Sequence, residues 1–107
     1  MSAAKSKVEH IIAQNNVVVF SKSYCPYSSA TKSLLNELGI PYYALELDEI
    51  DDGAAIQDAL AALTHQRTVP NIFIAQKHIG GNSDIQARKS ELSALVSAGA
   101  AAKASKA

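Results

Sequence analysis

Residues 21–28 read SKSYCPYS and contain the chain's single cysteine, Cys25. Pro26 directly follows it, and proline suits the first turn of a helix, where its missing N–H is no loss. Cys25 is therefore expected at a helix N-terminus. There the dipole and unpaired N–H groups stabilise a thiolate, and Lys22 adds positive charge. Free thiols titrate near ~8.5, and such surroundings lower this by one to several units. A thiol so lowered is both a nucleophile and a good leaving group. A lone cysteine is more often an inert small hydrophobe, but the polar neighbours Ser23, Tyr24, Ser28 and Ser29 favour the reactive reading. In a C-x-x-C redox pair the second cysteine would stand at Ser28. This chain cannot close an internal disulfide.

Two other stretches stand out. Thr68-Val69-Pro70 ends a polar break and opens an apolar run, and a proline starting a strand is ordinarily an edge device. Gly80-Gly81-Asn82-Ser83-Asp84 reads as a turn plus a helix cap, whose backbone N–H groups could hold a carboxylate. Neither is decisive alone.

The elements that must position these residues follow from periodicity. Val8, Ile11 and Ile12 mark a helix over Lys5 to Asn15. Val17 to Phe20 is an unbroken apolar run, as expected of a strand buried on both faces. A helix from Pro26 carries Ala30, Leu34, Leu35 and Leu38, and Gly39 sits where a left-handed C-terminal residue is expected. Tyr43, Leu45 and Leu47 alternate with Tyr42, Ala44 and Glu46 in a second strand. The acidic DEIDDG is a solvated turn whose Asp51 or Asp52 caps a helix with Ile56, Leu60 and Leu63 inside. NIFIA and HIGG form a hairpin turning at Gln76-Lys77. Ser83 or Asp84 caps a last helix through Ile85, Leu92, Leu95 and Val96. Tyr42, Tyr43, Phe20 and Phe73 are expected to pack the sheet. The order αβαβαββα gives an α/β fold: a four-stranded mixed sheet flanked by helices, with strands 1 and 2 parallel across a helical crossover. The domain is expected over 1–98, followed by a low-complexity, frayed tail at 99–107.

Composition narrows the classes. The 107 residues carry 10 basic and 10 acidic side chains, 48% apolar residues and a pI near 6.8. That suits one soluble domain and gives no reason to expect nucleic acid or an anionic membrane as partner. One cysteine excludes a disulfide framework and a Cys-rich zinc site. The N-terminus lacks the long apolar run of a signal peptide. A reducing, cytoplasmic setting is expected.

Taken together and in this order, SKSYCPYS, RTVPNIFI and KHIGGNSD resemble the three site segments of glutaredoxin, a thioredoxin-fold family, from about Val8 to Val96. SKSYCPYS is similar to the family's S-K-x-x-C-P-Y-C with its last residue changed. The rest of the motif follows the dithiol class, and Ser28 can be natural or a Cys→Ser replacement. The resemblance implies a thioredoxin-like fold and glutathione as substrate or as a mixed disulfide on Cys25. It implies that Lys22 and Gln66 meet the glycine carboxylate of glutathione and Tyr27 lines the groove. Val69 would pair its backbone with the cysteinyl part, Pro70 would be cis, and Thr68 would support that turn. Gly80 and Gly81 would permit close approach, and Ser83 and Asp84 would hold the γ-glutamyl end. Arg67 would add to the carboxylate end or lie plainly on the surface.

The function implied is reduction of protein–glutathione mixed disulfides by a monothiol route through Cys25, with little reduction of protein disulfides because Ser28 cannot resolve them. Glutathionylated proteins are the expected partners of a monomer, and no metal is expected. The rival from a binding class is a dimer around a glutathione-ligated [2Fe–2S] cluster. Pro26 and the absence of C-G-F-S weigh against it. A third reading is a thiol-based interaction module without turnover. His10, His65 and His78 are scattered and suggest no Cys–His pair.

Overall fold

The computed structural model describes residues 3–105, with side chains over 3–100. Helix α1 spans Ala3–Gln14, β1 Val17–Ser21, α2 Pro26–Glu37, β2 Tyr43–Glu46, α3 Gly53–Thr64, β3 Asn71–Ile74 and β4 Lys77–Gly80. After them come α4 at Asn82–Ala87 and α5 at Leu92–Ser105, with short 3-10 turns at Leu47–Glu49 and Lys89–Glu91.

The four strands make one mixed sheet in the order β2-β1-β3-β4. β1 runs parallel to β2, with Ser21 opposite Glu46, and antiparallel to β3. The sheet has a core on each face. On one, Val8, Ile11 and Ile12 of α1 and Ile56 and Leu60 of α3 pack on Val18, Phe20 and Phe73. On the other, Leu34 and Leu35 of α2, Ile85 of α4 and Leu92 pack on Val17, Val19, Ile72 and Ile74. This is why Val17–Phe20 reads as unbroken: both faces of β1 are covered, and every residue in it is buried. Each fully buried Leu, Ile or Phe contributes roughly 1.5–3 kcal/mol. Phe20 and Phe73 meet edge to face at 6.1 Å. The expected fold class is the one observed.

Several local expectations are corrected. Asp52 holds the N-cap position of α3 without capping it. Its φ, ψ of −96°, 18° is not the extended conformation a capping side chain needs, and its carboxylate pairs instead with Lys7 at 3.0 Å. Leu63 is 46% exposed, and Tyr43, on edge strand β2, is 41% exposed. The hairpin turns at Ala75-Gln76, both left-handed (φ 53° and 66°), one residue before Gln76-Lys77. That is the φ pattern of a type I′ turn, which matches the twist of paired strands. The last helix is two, α4 and α5, separated by the turn at Lys89–Glu91. Helix α5 runs to Ser105; the end of the expected tail, residues 106–107, lies outside the described residues. Gly39 is left-handed as expected, with φ 69°.

Candidate functional site

β1 brings the chain through the core and delivers it at the C-terminal end of this central strand as a β-turn, Lys22 to Cys25, closed by the Cys25 N–H on the Lys22 carbonyl at 3.1 Å. Cys25 is the N-cap of α2, extended at φ, ψ −84°, 118°, with Pro26 opening the helix. Its carbonyl takes the first helical bond, from Ser29 N–H at 3.1 Å. The sulfur therefore sits at the helix start. Burial acts to raise the thiol's pKa and is the largest single influence. The Ser28 N–H, the Ser28 hydroxyl, the Tyr27 N–H and the Lys22 ammonium act against it, and the net result is a pKa below the usual thiol value.

Ser28 is fully buried, and among the described residues its hydroxyl has no partner within ordinary hydrogen-bond geometry. The group it can serve is the Cys25 sulfur. A neutral thiol is a weak acceptor, whereas a thiolate is a strong one, so ionisation supplies the partner the hydroxyl lacks.

Facing the sulfur is the loop before β3. The Val69–Pro70 peptide is cis, as the resemblance implies. The Val69 carbonyl lies 3.8 Å from Cys25 Sγ. Gln66 braces this loop from within, its side-chain amide donating to the Thr68 carbonyl at 3.1 Å and the Pro70 carbonyl at 3.0 Å. Behind it, buried Asn71 donates to Thr64 Oγ1 at 3.2 Å, and its Oδ1 meets His78 Nε2 at 2.9 Å. Desolvation lowers the His78 pKa, with the charge of Asp84 acting the other way.

The third wall is Gly81 to Asp84. Gly81, not Ser83 or Asp84, is the N-cap of α4. Asp84 stands at the third helical position and accepts the Gly81 N–H at 2.8 Å. This is half a capping box, because glycine has no side chain to return the bond. Gly80 has φ 121°, which an L side chain rarely adopts.

These walls enclose a groove of about 520 Å³ lined by Tyr27, Gln66, Thr68, Val69, Pro70, Gly81, Asn82, Ser83 and Asp84. Eight of the residues expected from sequence thus share one cleft. Cys25 lies at its side, next to Val69, and Lys22 stands on the turn, acting on the sulfur by charge. Tyr24 and Tyr27 are exposed, at 71% and 67%. Arg67 is tied to Asp58 at 2.8 Å. Among the described residues, the groups acting on Cys25 are Ser28, Tyr27, Lys22 and the Val69 carbonyl, and no histidine is one of them.

Two residues were not singled out by sequence reasoning. Asn82 lines the groove, and its Oδ1 accepts from Thr31 of α2 at 3.0 Å and Gln86 at 3.1 Å, joining the third wall to the thiol's helix. Its place inside GGNSD was the available signal. Asp48, read as part of a solvated turn, binds Ser23 in the turn before Cys25. A second concavity of about 540 Å³ lies between α1 and α3. Its lining includes neither the thiol nor any of the site residues expected from sequence.

The glutaredoxin family model matches residues 17–79, from β1 through most of β4 and across both the cysteine turn and the cis-proline loop. The chain belongs to the glutaredoxin family. It is 51% identical to a glutaredoxin of Ricinus communis over 82% of this chain and 86% of that one. A glutaredoxin of Solanum lycopersicum is also 51% identical, over 98% of both chains. Among solved structures it is similar to the buckwheat glutaredoxin–glutathione complex, with a TM-score of 0.88 and 42% identity over 91% of this chain and 90% of that one. In this chain the cysteine turn, the cis-proline loop and the glycine wall meet at one cleft, with Ser28 three residues after Cys25.

Proposed function

We propose that this glutaredoxin reduces protein–glutathione mixed disulfides by a monothiol cycle through Cys25. The observation that carries the reading is the junction of a thiolate-favouring Cys25 with the cleft, 3.8 Å from the backbone of Val69. The similar buckwheat protein is one captured with glutathione.

Glutathione has two carboxylates and one ammonium along a short peptide. The cleft supplies complementary features. The Val69 backbone can pair with the extended cysteinyl part, as in strand addition. The Lys22 charge lies on the sulfur side. The Asp84 carboxylate, which uses one oxygen on Gly81, can meet the ammonium. Gln66 has its amide donors on the cis-proline loop, so its first role is to brace that loop.

In the first step the Cys25 thiolate attacks the glutathionyl sulfur of the mixed disulfide. The Cys25–glutathione bond forms, the old disulfide breaks, and the protein thiolate leaves and takes a proton from water. In the second step a glutathione thiolate attacks the glutathionyl sulfur on Cys25. Oxidised glutathione leaves and the Cys25 thiolate returns. Each turn consumes one reduced glutathione, whose sulfur is oxidised as the protein sulfur is reduced, while the glutathionyl group of the mixed disulfide passes through Cys25 into oxidised glutathione. No step uses a second protein thiol, so Ser28 is compatible with the cycle. The reduced glutathione it consumes fits a cytoplasmic location and a monomer acting on glutathionylated proteins.

The test is glutathione-dependent release of glutathione from a glutathionylated peptide, followed by mass. Wild type should turn over, passing through a protein adduct of one glutathione that reductant removes. Cys25→Ala should do neither. Turnover by Cys25→Ala, or a wild type that never forms the adduct, would overturn the reading.

A further inference from the structure

The turn that delivers Cys25 is held at its corner by a carboxylate from the 3-10 turn that follows β2. In the β-turn Lys22-Ser23-Tyr24-Cys25, Ser23 is the first corner residue. Both of its donors go to Asp48: the N–H to Oδ1 at 2.9 Å, and the hydroxyl to Oδ2 in a short bond. The topology sets this pairing. β1 and β2 are parallel with Ser21 opposite Glu46, so two residues beyond each strand end Ser23 lies beside Asp48. Donation by the Ser23 hydroxyl, then by its N–H, holds the Asp48 carboxyl below the usual carboxylate range. Asp48 is thus an anion throughout the neutral range. The Lys22 ammonium acts on both Asp48 and Cys25, from the residue between Ser23 and the end of β1.

We propose that Asp48 is a positioning residue for the Cys25 nucleophile. Acting through Ser23, it fixes the turn that sets the sulfur at the Tyr27 and Ser28 N–H groups and keeps Lys22 beside it. The inference rests on the reading of Cys25 as a thiolate nucleophile and adds a residue to that machinery. It is separable from the plain effect of a nearby negative charge. A bystander carboxylate disfavours the thiolate, so its removal would lower the thiol pKa. A carboxylate that holds the turn does the reverse, because its removal lets the sulfur and Lys22 drift from the geometry that favours ionisation.

The rate of Cys25 alkylation by iodoacetamide, followed against pH, tests this, since the chain has no other thiol to report. Asp48→Ala should move the midpoint upward by roughly half to one pH unit, slowing alkylation below the midpoint about three- to tenfold. Ser23→Ala keeps the charge of Asp48 and should move the midpoint the same way by less. Ser23→Thr keeps the hydroxyl and should leave it in place. The double variant should be no worse than Asp48→Ala, because the two residues act as one unit. Ser23 is exposed, so its variants carry the test even if Asp48→Ala fails to fold. A midpoint in Ser23→Ala that stays put or falls would overturn the proposal. A wild-type midpoint at the ordinary thiol value of ~8.5 would instead overturn the nucleophile reading.

Discussion

Gly80 offers a way to separate backbone strain from side-chain collision in the wall of the cleft. A Cβ added there would lie 2.3 Å from Asp84 Oδ2, 2.8 Å from its Cγ and 3.1 Å from its Cβ, on a backbone with φ 121°. Gly80→Ala must therefore strain the chain and expel the Asp84 carboxylate from its bond to Gly81 N–H. The backbone part costs about 1–3 kcal/mol. The lost charge-assisted bond, exposed to water, adds about 1 kcal/mol. The sum is about 2–4 kcal/mol, or a fall in Tm of roughly 10–20 °C for a domain of this size. Gly39→Ala is the matched control, because Gly39 has φ 69° and nothing within 4 Å of its added Cβ. It should cost only the left-handed backbone term, about 1–2 kcal/mol. The two variants are compared by thermal and urea unfolding and by KM for a glutathionylated peptide. Gly80→Ala should lose more stability than Gly39→Ala and should alone raise KM, since it alone moves Asp84. Equal stability losses, or a KM unchanged in Gly80→Ala, would refute the reasoning.

Three further outcomes are expected. Ser28→Cys should raise reduction of protein disulfides about tenfold or more, because resolution becomes intramolecular. An insulin-type turbidity assay with no gain would count against the missing-thiol account. Leu35→Ala, which empties a fully buried site behind the thiol's helix, should cost about 2–5 kcal/mol in urea unfolding, and a loss under ~1 kcal/mol would contradict the packing described. For His78, the depressed pKa means the folded state binds fewer protons than the unfolded chain just below pH ~6.5. Stability should therefore fall as pH drops from there toward the lowered folded value. His78→Gln should flatten that part of the Tm–pH curve, and a slope as steep as wild type's would show that His78 is not its source.

The sequence was most readable where a residue type has one physical use. Val17–Phe20 had to be a strand with both faces covered, and Pro26 had to open a helix, which places Cys25 at that helix's start. The three site segments resembled a known family closely enough to bring eight lining residues to one cleft. What was not readable has physical reasons. The hairpin turns on Ala75-Gln76, neither of which advertises a left-handed backbone, so strand pairing overrides local preference there. Ile85 and Leu92 are seven residues apart, two helical turns, so their periodicity is the same for one straight helix as for two joined by a short turn. Asp48 sits in an acidic run where any carboxylate could be mere solvation. Only the register of β1 on β2 selects it, and register is a property of paired strands rather than of either alone.

A buried serine where a thiol would stand also changes what the protein's redox state measures. With two cysteines, oxidation by glutathione disulfide would release two glutathione molecules, and the oxidised fraction would depend on the square of glutathione concentration over that of its disulfide. With Cys25 alone, one glutathione stays on the protein and one is released. Under the proposed cycle the glutathionylated fraction then follows the simple ratio of disulfide to thiol. Diluting or concentrating the whole glutathione pool at constant ratio would leave that fraction where it was.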